Sequence, residues 1–144
     1  MTSPEQAALR QVAVTMLANR AGPGASAEAV AAAADRAYDH LASVLGAVIG
    51  DLGIRALIDR ALHLTTPEYP WMALPRDSGD GNDTFAHIID TLKQRDAAEA
   101  AEAAAAVFAA LLALLATFIG EPLAERLMRQ AWPDAPPKAN IEET

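Results

Sequence analysis

The sequence predicts an all-α fold, a single compact bundle of about six helices built from two three-helix repeats. Apolar residues recur at three- and four-residue spacing along most of the chain, as helices with one buried face require. Gly, Pro and capping residues interrupt this pattern at intervals of helix length. Residues 31–62 also align with residues 101–132 without a gap, and such self-similarity is typical of a duplicated unit.

Helix one is predicted to begin at Ser3, because Ser can cap a free N–H group and Pro4 suits the first helical turn. The helix extends to about Arg20, where the Gly- and Pro-containing residues 21–25 end it. Its predicted buried stripe consists of Leu9, Val12, Ala13, Met16 and Leu17.

Helix two is predicted to begin after the capping residue Ser26 and to extend to about Ile49, with Gly50 as its C-terminal stop. Helix three then begins at Asp51 and ends before Thr65. The predicted inner face of helix two consists of Val30, Ala34, Tyr38, Leu41, Leu45 and Val48. The predicted apolar positions of helix three are Ile54, Leu57, Ile58, Ala61 and Leu62.

A long connection is predicted over residues 65–82, and a second set of helices follows it. Residues 84–119 fit either one helix or two, because Asp96 offers a second capping position. A last helix covers residues 122–132, and the Pro-containing residues 134–144 are predicted to be a disordered tail. The predicted core residues that follow the connection are Phe85, Ile88, Ile89 and Leu92.

The internal alignment assigns residues 3–64 to a first repeat and residues 83–133 to a second, within one domain covering residues 1–133. Both repeats place an Ile-Gly-acid turn at the same position, around Gly50 and Gly120, and this shared break favours duplication over chance agreement between two Ala- and Leu-rich helices. The other informative identities pair Leu41 with Leu111, Leu45 with Leu115, Ile49 with Ile119, and Leu57 with Leu127.

The segment from Ala103 to Gly120 is uncharged, and its 18 residues are just long enough for a membrane span. The aligned segment of the first repeat carries charged residues such as Asp35 and Arg36, which favours a helix of a soluble bundle. We therefore expect helix 103–120 to be a central helix that is buried on every side. Membrane association through this helix is an alternative interpretation.

The composition is acidic, with 19 Asp and Glu against 11 Lys and Arg and a net charge of −8. This charge repels phosphate backbones, so the sequence predicts no nucleic-acid partner. The chain has no cysteine, which excludes disulfides and thiolate metal sites and favours a reducing compartment. The first residues lack the pattern of a secretory signal, and we expect a cytoplasmic, bacterial protein.

No pattern of catalytic or metal-binding residues is recognisable. The three histidines, His40, His63 and His87, lack the Glu-x-x-His or His-Glu-x-x-His spacing of metal-binding helices, and no nucleophile elbow or phosphate-binding Gly loop is present. The sequence therefore predicts no catalytic residue, no metal and no cofactor, and it favours a protein that is not an enzyme.

The loop from Asp77 to Thr84 leaves two interpretations open. Residues 78–86 resemble one nonapeptide of the RTX calcium repeats, with Ser78 in place of the first Gly. The resemblance covers nine residues. It implies calcium held between tandem copies, whereas this chain has a single copy. The alternative is a flexible Asp/Gly turn in which Asp83 caps the next helix.

Four large side chains are candidates for partner binding: Tyr69, Trp71, Met72 and Trp132. Aromatic residues and Met commonly supply the energy of protein interfaces, although these side chains could also fold back on the bundle. The sequence thus favours a non-catalytic protein–protein interaction protein, acting as an adaptor, regulator or oligomeric subunit, with a protein partner or a second copy of itself in a homodimer. The alternative is a small-molecule-binding or enzymatic bundle with a pocket between helices.

Overall fold

The structure, a computed structural model, describes residues 4–73 and 84–133, with side chains from residue 7 onwards. This part of the chain is an all-α bundle without strands, as predicted. Its five α-helices are α1 (Pro4–Ala21), α2 (Ala27–Thr65), α3 (Thr84–Lys93), α4 (Ala97–Ile119) and α5 (Glu121–Ala131), and a 3₁₀ turn covers Pro70–Met72. The predicted tail and residues 74–83, which include most of the Asp/Gly loop, lie outside the described residues.

The predicted count of six helices is not confirmed, because predicted helices two and three form the single element α2. Gly50 lies inside α2 with non-helical dihedral angles, φ 78° and ψ 168°, and the chain is helical again directly after it. Gly120 has a similar conformation, φ 91° and ψ 148°, but there the helix ends and α5 begins. Only Gly populates this region readily, which explains why the chain turns at these two residues.

The question of one helix or two in residues 84–119 is decided by the segment around Asp96. Its side chain accepts a hydrogen bond of 2.9 Å from the Glu99 N–H, as an N-cap does, so that α4 begins at Ala97. Before it, the N–H groups of Gln94 and Arg95 donate to carbonyl groups three residues earlier and close the last turn of α3. The chain therefore forms two helices here.

α4 is the central helix, since it packs against each of the other four. Phe108 lies in the middle of the core, with its ring centroid 6.1 Å from that of Phe85 and 5.3 Å from that of Trp132. Tyr38 of α2 stacks on Phe85 at 4.0 Å and connects α2 to α3. The buried stripe predicted for helix one is confirmed, as are the four core residues predicted after the connection.

Two predictions about burial are wrong at one end of the bundle. Val48, predicted on the inner face of helix two, is 47% exposed. The helix predicted to be buried on every side is buried through most of residues 103–112 and at Leu115, but Phe118 is 75% exposed. From Ala103 onwards α4 carries no charged residue, so its periodicity has no charged face that would mark the side turned towards solvent.

Candidate functional site

An open apolar groove, here called the α2/α4 groove, lies between the second half of α2 and the end of α4. Its first stretch has a volume of about 690 Å³. The α2 wall is formed mainly by Ile49, Gly53 and Ala56, and the α4 wall by Leu114, Phe118 and Ile119. Of the residues that the structure describes, Arg60 is the only charged one that lines this stretch. The groove therefore offers a partner apolar contact and one positive charge.

The groove continues along α4 as a second stretch of about 310 Å³, which shares Leu114 and Thr117 with the first. Its floor is made of alanines of α4, including Ala110 and Ala113, which have no side-chain atom beyond Cβ. At its edge Arg10 of α1 donates to Glu68 at 2.9 Å. Small residues on the floor allow another helix to approach the backbone of α4 closely.

Two of the large apolar side chains that the bundle leaves exposed line this groove, and two others directly precede lining residues in the chain. Leu52 is 79% exposed, Phe118 75%, Leu64 48% and Val48 47%. Phe118 and Leu64 line the groove, and the other two directly precede the lining residues Ile49 and Gly53 in the chain. A contiguous apolar surface of this kind is typical of an interaction site, whereas single exposed apolar residues are common everywhere.

The absence of a side chain at Gly53 shapes the α2 wall. A Cβ atom at this position would lie 3.1 Å from the Cβ of Ile49, closer than ordinary van der Waals contact. Without it, Ile49 can rest against the backbone of the next helical turn.

The four residues predicted to bind a partner do not form one surface. Met72 and Trp132 are 0% exposed, and the Trp132 Nε1–H donates to the Ala37 carbonyl at 2.9 Å inside the core. Tyr69 and Trp71 are half-buried at the 3₁₀ turn, with their ring centroids 6.0 Å apart. A role of these residues in partner binding stays a prediction, and in this conformation two of them are core residues.

The side chain of Trp71 has a charged neighbour. The guanidinium carbon of Arg95 lies 4.6 Å from the ring centroid of Trp71, within the range of a cation–π interaction. This contact connects the 3₁₀ turn to the end of α3.

The three histidines lie in different surroundings. His40 and His63 are exposed on α2, and His40 lies 3.4 Å from an Arg20 guanidinium nitrogen. His87 is half-buried, and its Nε2 lies 3.1 Å from the carbonyl oxygens of both Met72 and Ala73, so this nitrogen donates its proton to them. Within residues 4–73 and 84–133, no group of three or more His, Asp or Glu side chains could hold a metal ion.

Tyr38 is the group whose ionisation the fold changes most clearly. Burial, followed by the negative charges of Asp59 and Asp39, raises the pKa of its phenol to about 12, while Arg55 acts in the opposite direction. Burial, followed by the charge of Glu68, also raises the pKa of Tyr69. The fold therefore favours the neutral form of both phenols.

We expect the tyrosinate absorbance of the native protein to develop above pH 10, the ordinary pKa of tyrosine, and to be half-complete for Tyr38 near pH 12. Because the folded-state pKa is raised, the stability from the neutral phenol is fully present below pH 10 and is lost as the pH rises through about 12. Tyr38→Phe should remove the increase in tyrosinate absorbance near pH 12 from a spectrophotometric titration. The protein unfolded in denaturant is the control, and a native titration centred on pH 10 would contradict the prediction.

The exposed apolar residues of the groove were missed in the sequence. One signal was present: Leu52 stands between Asp51 and the charged Arg55, off the face predicted for Ile54 and Leu57. Phe118 gave no comparable signal, because it stands in an uncharged run that extends from Ala103 to Gly120.

Comparison with known protein families, with curated proteins and with solved structures finds no match to this chain.

Among the described residues, two helices are long and apolar enough to cross a membrane, α2 and α4. The most apolar window of α4 is 56% buried in the bundle, whereas that of α2 is 28% buried. Core helices of soluble proteins pass the same test of length and hydropathy. The fraction of a helix that is buried in the bundle is therefore a better criterion for a core helix than its hydropathy.

Proposed function

We propose that this chain is a non-catalytic protein–protein interaction protein, an adaptor, regulator or oligomeric subunit, whose binding surface is the α2/α4 groove. The observation that carries this proposal is the apolar groove with the strongly exposed Phe118 in its wall, next to which the exposed Leu52 precedes the lining residue Gly53. A partner that covers this surface removes its apolar area from water, which is the main favourable term of protein association.

The expected contribution of Phe118 is large. An aromatic side chain buries about 150–250 Å² when it is covered completely. Since Phe118 is 75% exposed, a partner can cover roughly 110–190 Å² of it, or about 3–5 kcal/mol at about 25 cal/mol per Å². This magnitude is typical of the few residues that dominate an interface.

The composition of the groove favours binding of a protein over an enzymatic function. Ligand and substrate sites combine an apolar cavity with several convergent polar groups that fix the orientation of the ligand. The first stretch has one charged lining residue, Arg60, and Arg10 and Glu68 at the second stretch form an ion pair with each other. The groove thus has apolar area but few groups that could orient a small molecule.

The test replaces Phe118 by a photo-crosslinking phenylalanine analogue in cells that make the protein. We expect an adduct with a protein of discrete mass, because the analogue keeps the ring in the groove. The matched control carries the analogue at Leu123, which is 37% exposed on α5 and does not line the groove.

A second variant, Ala113→Leu, fills the floor of the groove and should remove the adduct. Equal adducts from both crosslinking positions, or crosslinking to lipid alone, would contradict the proposal.

We also infer that the bundle arose by duplication of a three-helix unit, in which the two parts of α2 before and after Gly50 count as separate helices. Burial at aligned positions supports this. The aligned pairs that are buried in both halves include Leu41 with Leu111, Leu45 with Leu115, Leu57 with Leu127, Ile58 with Met128, and Leu62 with Trp132. The positive φ of both Gly50 and Gly120 supports it further.

A further inference from the structure

We propose that the occupant of the α2/α4 groove is a second copy of this chain, in a dimer with two-fold symmetry. The inference rests on the proposed function and names the partner. Three properties of the groove support it: its shape, its size and its charge.

The groove carries a protruding group and a cavity on the same face. Phe118 is 75% exposed, and it borders a concavity of about 690 Å³. In a two-fold dimer each copy presents the same surface to the other, so a protruding group of one copy must find a cavity on the equivalent surface. Here Phe118 of each copy can enter the groove of the other, which makes the surface complementary to itself.

The extent of the surface corresponds to a small, reversible interface. A stable, specific interface involves roughly 20–30 residues from each partner, and transient interfaces are smaller. Eighteen different residues line the two stretches of the groove, but five of them are at most 5% exposed, namely Leu57, Thr65, Ala106, Ala109 and Leu115. The other thirteen, together with Val48 and Leu52, give fifteen residues that a second copy can cover, which fits a monomer–dimer equilibrium.

The charge of the groove fits an acidic partner. The chain has a net charge of −8, yet among the described residues the positive Arg60 is the only charged one in the first stretch. A second copy can offer Arg60 the exposed carboxylate of Asp51, nine residues earlier on α2, and two-fold symmetry would form this pair twice. A basic peptide would instead meet Arg60 as a like charge. Repulsion between the two acidic copies acts mainly through solvent and is screened by salt.

A membrane surface fits the groove less well than a second copy does. The net charge of −8 opposes binding to anionic lipids, whose surface potential is negative. Membrane binding and a basic protein partner are therefore outcomes that the experiment must distinguish from dimerisation.

The experiment is sedimentation equilibrium of the full chain over a range of protein concentrations, at about 0.1 M and about 1 M NaCl. We expect a monomer–dimer equilibrium that becomes tighter at high salt, because screening reduces the repulsion and the contact is apolar. The double variant Leu52→Gln/Phe118→Gln should raise the dissociation constant at least about 100-fold, because each dimer loses two copies of its largest exposed groups. Both substitutions keep the net charge unchanged.

The matched control is Leu123→Gln, which changes an exposed apolar residue outside the groove and should leave the dissociation constant unchanged. Circular dichroism of each variant establishes that the helices are retained. Dimerisation that resists the double substitution would overturn the inference, because another surface would then be responsible.

A strictly monomeric chain would also overturn it. If the crosslinker at Phe118 still captured a different protein, the proposed function would remain while the homodimer would be excluded. If the chain instead cosedimented with vesicles of phosphatidylcholine and phosphatidylserine through the same two residues, both proposals would fail.

Discussion

Replacing Trp132 by Ala should lower the free energy of unfolding by about 3–5 kcal/mol, the range for removing a large aromatic side chain from a core. Trp132 is 0% exposed, and its ring meets that of Phe108 edge to face at 5.3 Å. Its Nε1–H donates to the carbonyl of Ala37 at 2.9 Å, which attaches the end of α5 to the first half of α2. The substitution therefore leaves a cavity and removes a buried hydrogen bond between distant parts of the chain.

Chemical denaturation followed by circular dichroism measures this loss, and the chain contains its own control. Trp71→Ala removes the only other tryptophan, which is half-buried and contacts Tyr69 and the guanidinium of Arg95. We expect it to cost clearly less, because a half-buried ring leaves no closed cavity. Equal losses for the two variants would mean that Trp132 is not in the core of the folded protein.

Gly50→Ala and Gly120→Ala should each cost about 1–3 kcal/mol, the range for a non-Gly residue forced into this part of the backbone map. The φ angles are 78° and 91°. A Cβ at Gly50 would meet nothing within 4 Å, so the cost there comes from the backbone and not from crowding. Both turns position apolar residues of the groove, so the same variants should also weaken partner binding.

Gly46→Ala is the matched control for the two turns. Gly46 lies within α2, has no positive φ, and a Cβ there would approach its nearest neighbours only to 3.8 Å. Ala in a helix is favoured over Gly by roughly 0.5–1 kcal/mol, so this variant should be slightly more stable than the parent. Thermal unfolding of the three variants gives their order. If Gly50→Ala proved as stable as Gly46→Ala, α2 would have to run through residue 50 without a kink.

The elements of the fold were predictable where the sequence carries local signals. The stripe of α1 around Val12 and Met16 has strict helical spacing, and Ser26 and Asp96 have the side chains that cap helices. The count of helices was not predictable, because a Gly such as Gly50 can either end a helix or bend it, and the surrounding packing decides between the two outcomes.

The candidate site was harder to predict than the fold. Trp132 and Phe118 are both large apolar residues near a helix end, yet one is 0% and the other 75% exposed. Their local sequences do not separate them, since exposure depends on which helices pack alongside. Trp132 packs on Phe108 of α4 and donates to Ala37 of α2, both distant in sequence, whereas Phe118 lies in the wall of an open groove.

The hydrogen bond between Trp132 and Ala37 also has a consequence for the order of events during synthesis. The two residues are separated by 95 positions, and a ribosome adding about 5–20 residues per second needs about 5–19 s to cover that distance. For most of this interval the first half of α2, up to Gly50, has been synthesised in full but lacks its final cover. A nascent chain of this protein therefore exposes an apolar helix for seconds, which is the kind of segment that chaperones at the ribosome bind.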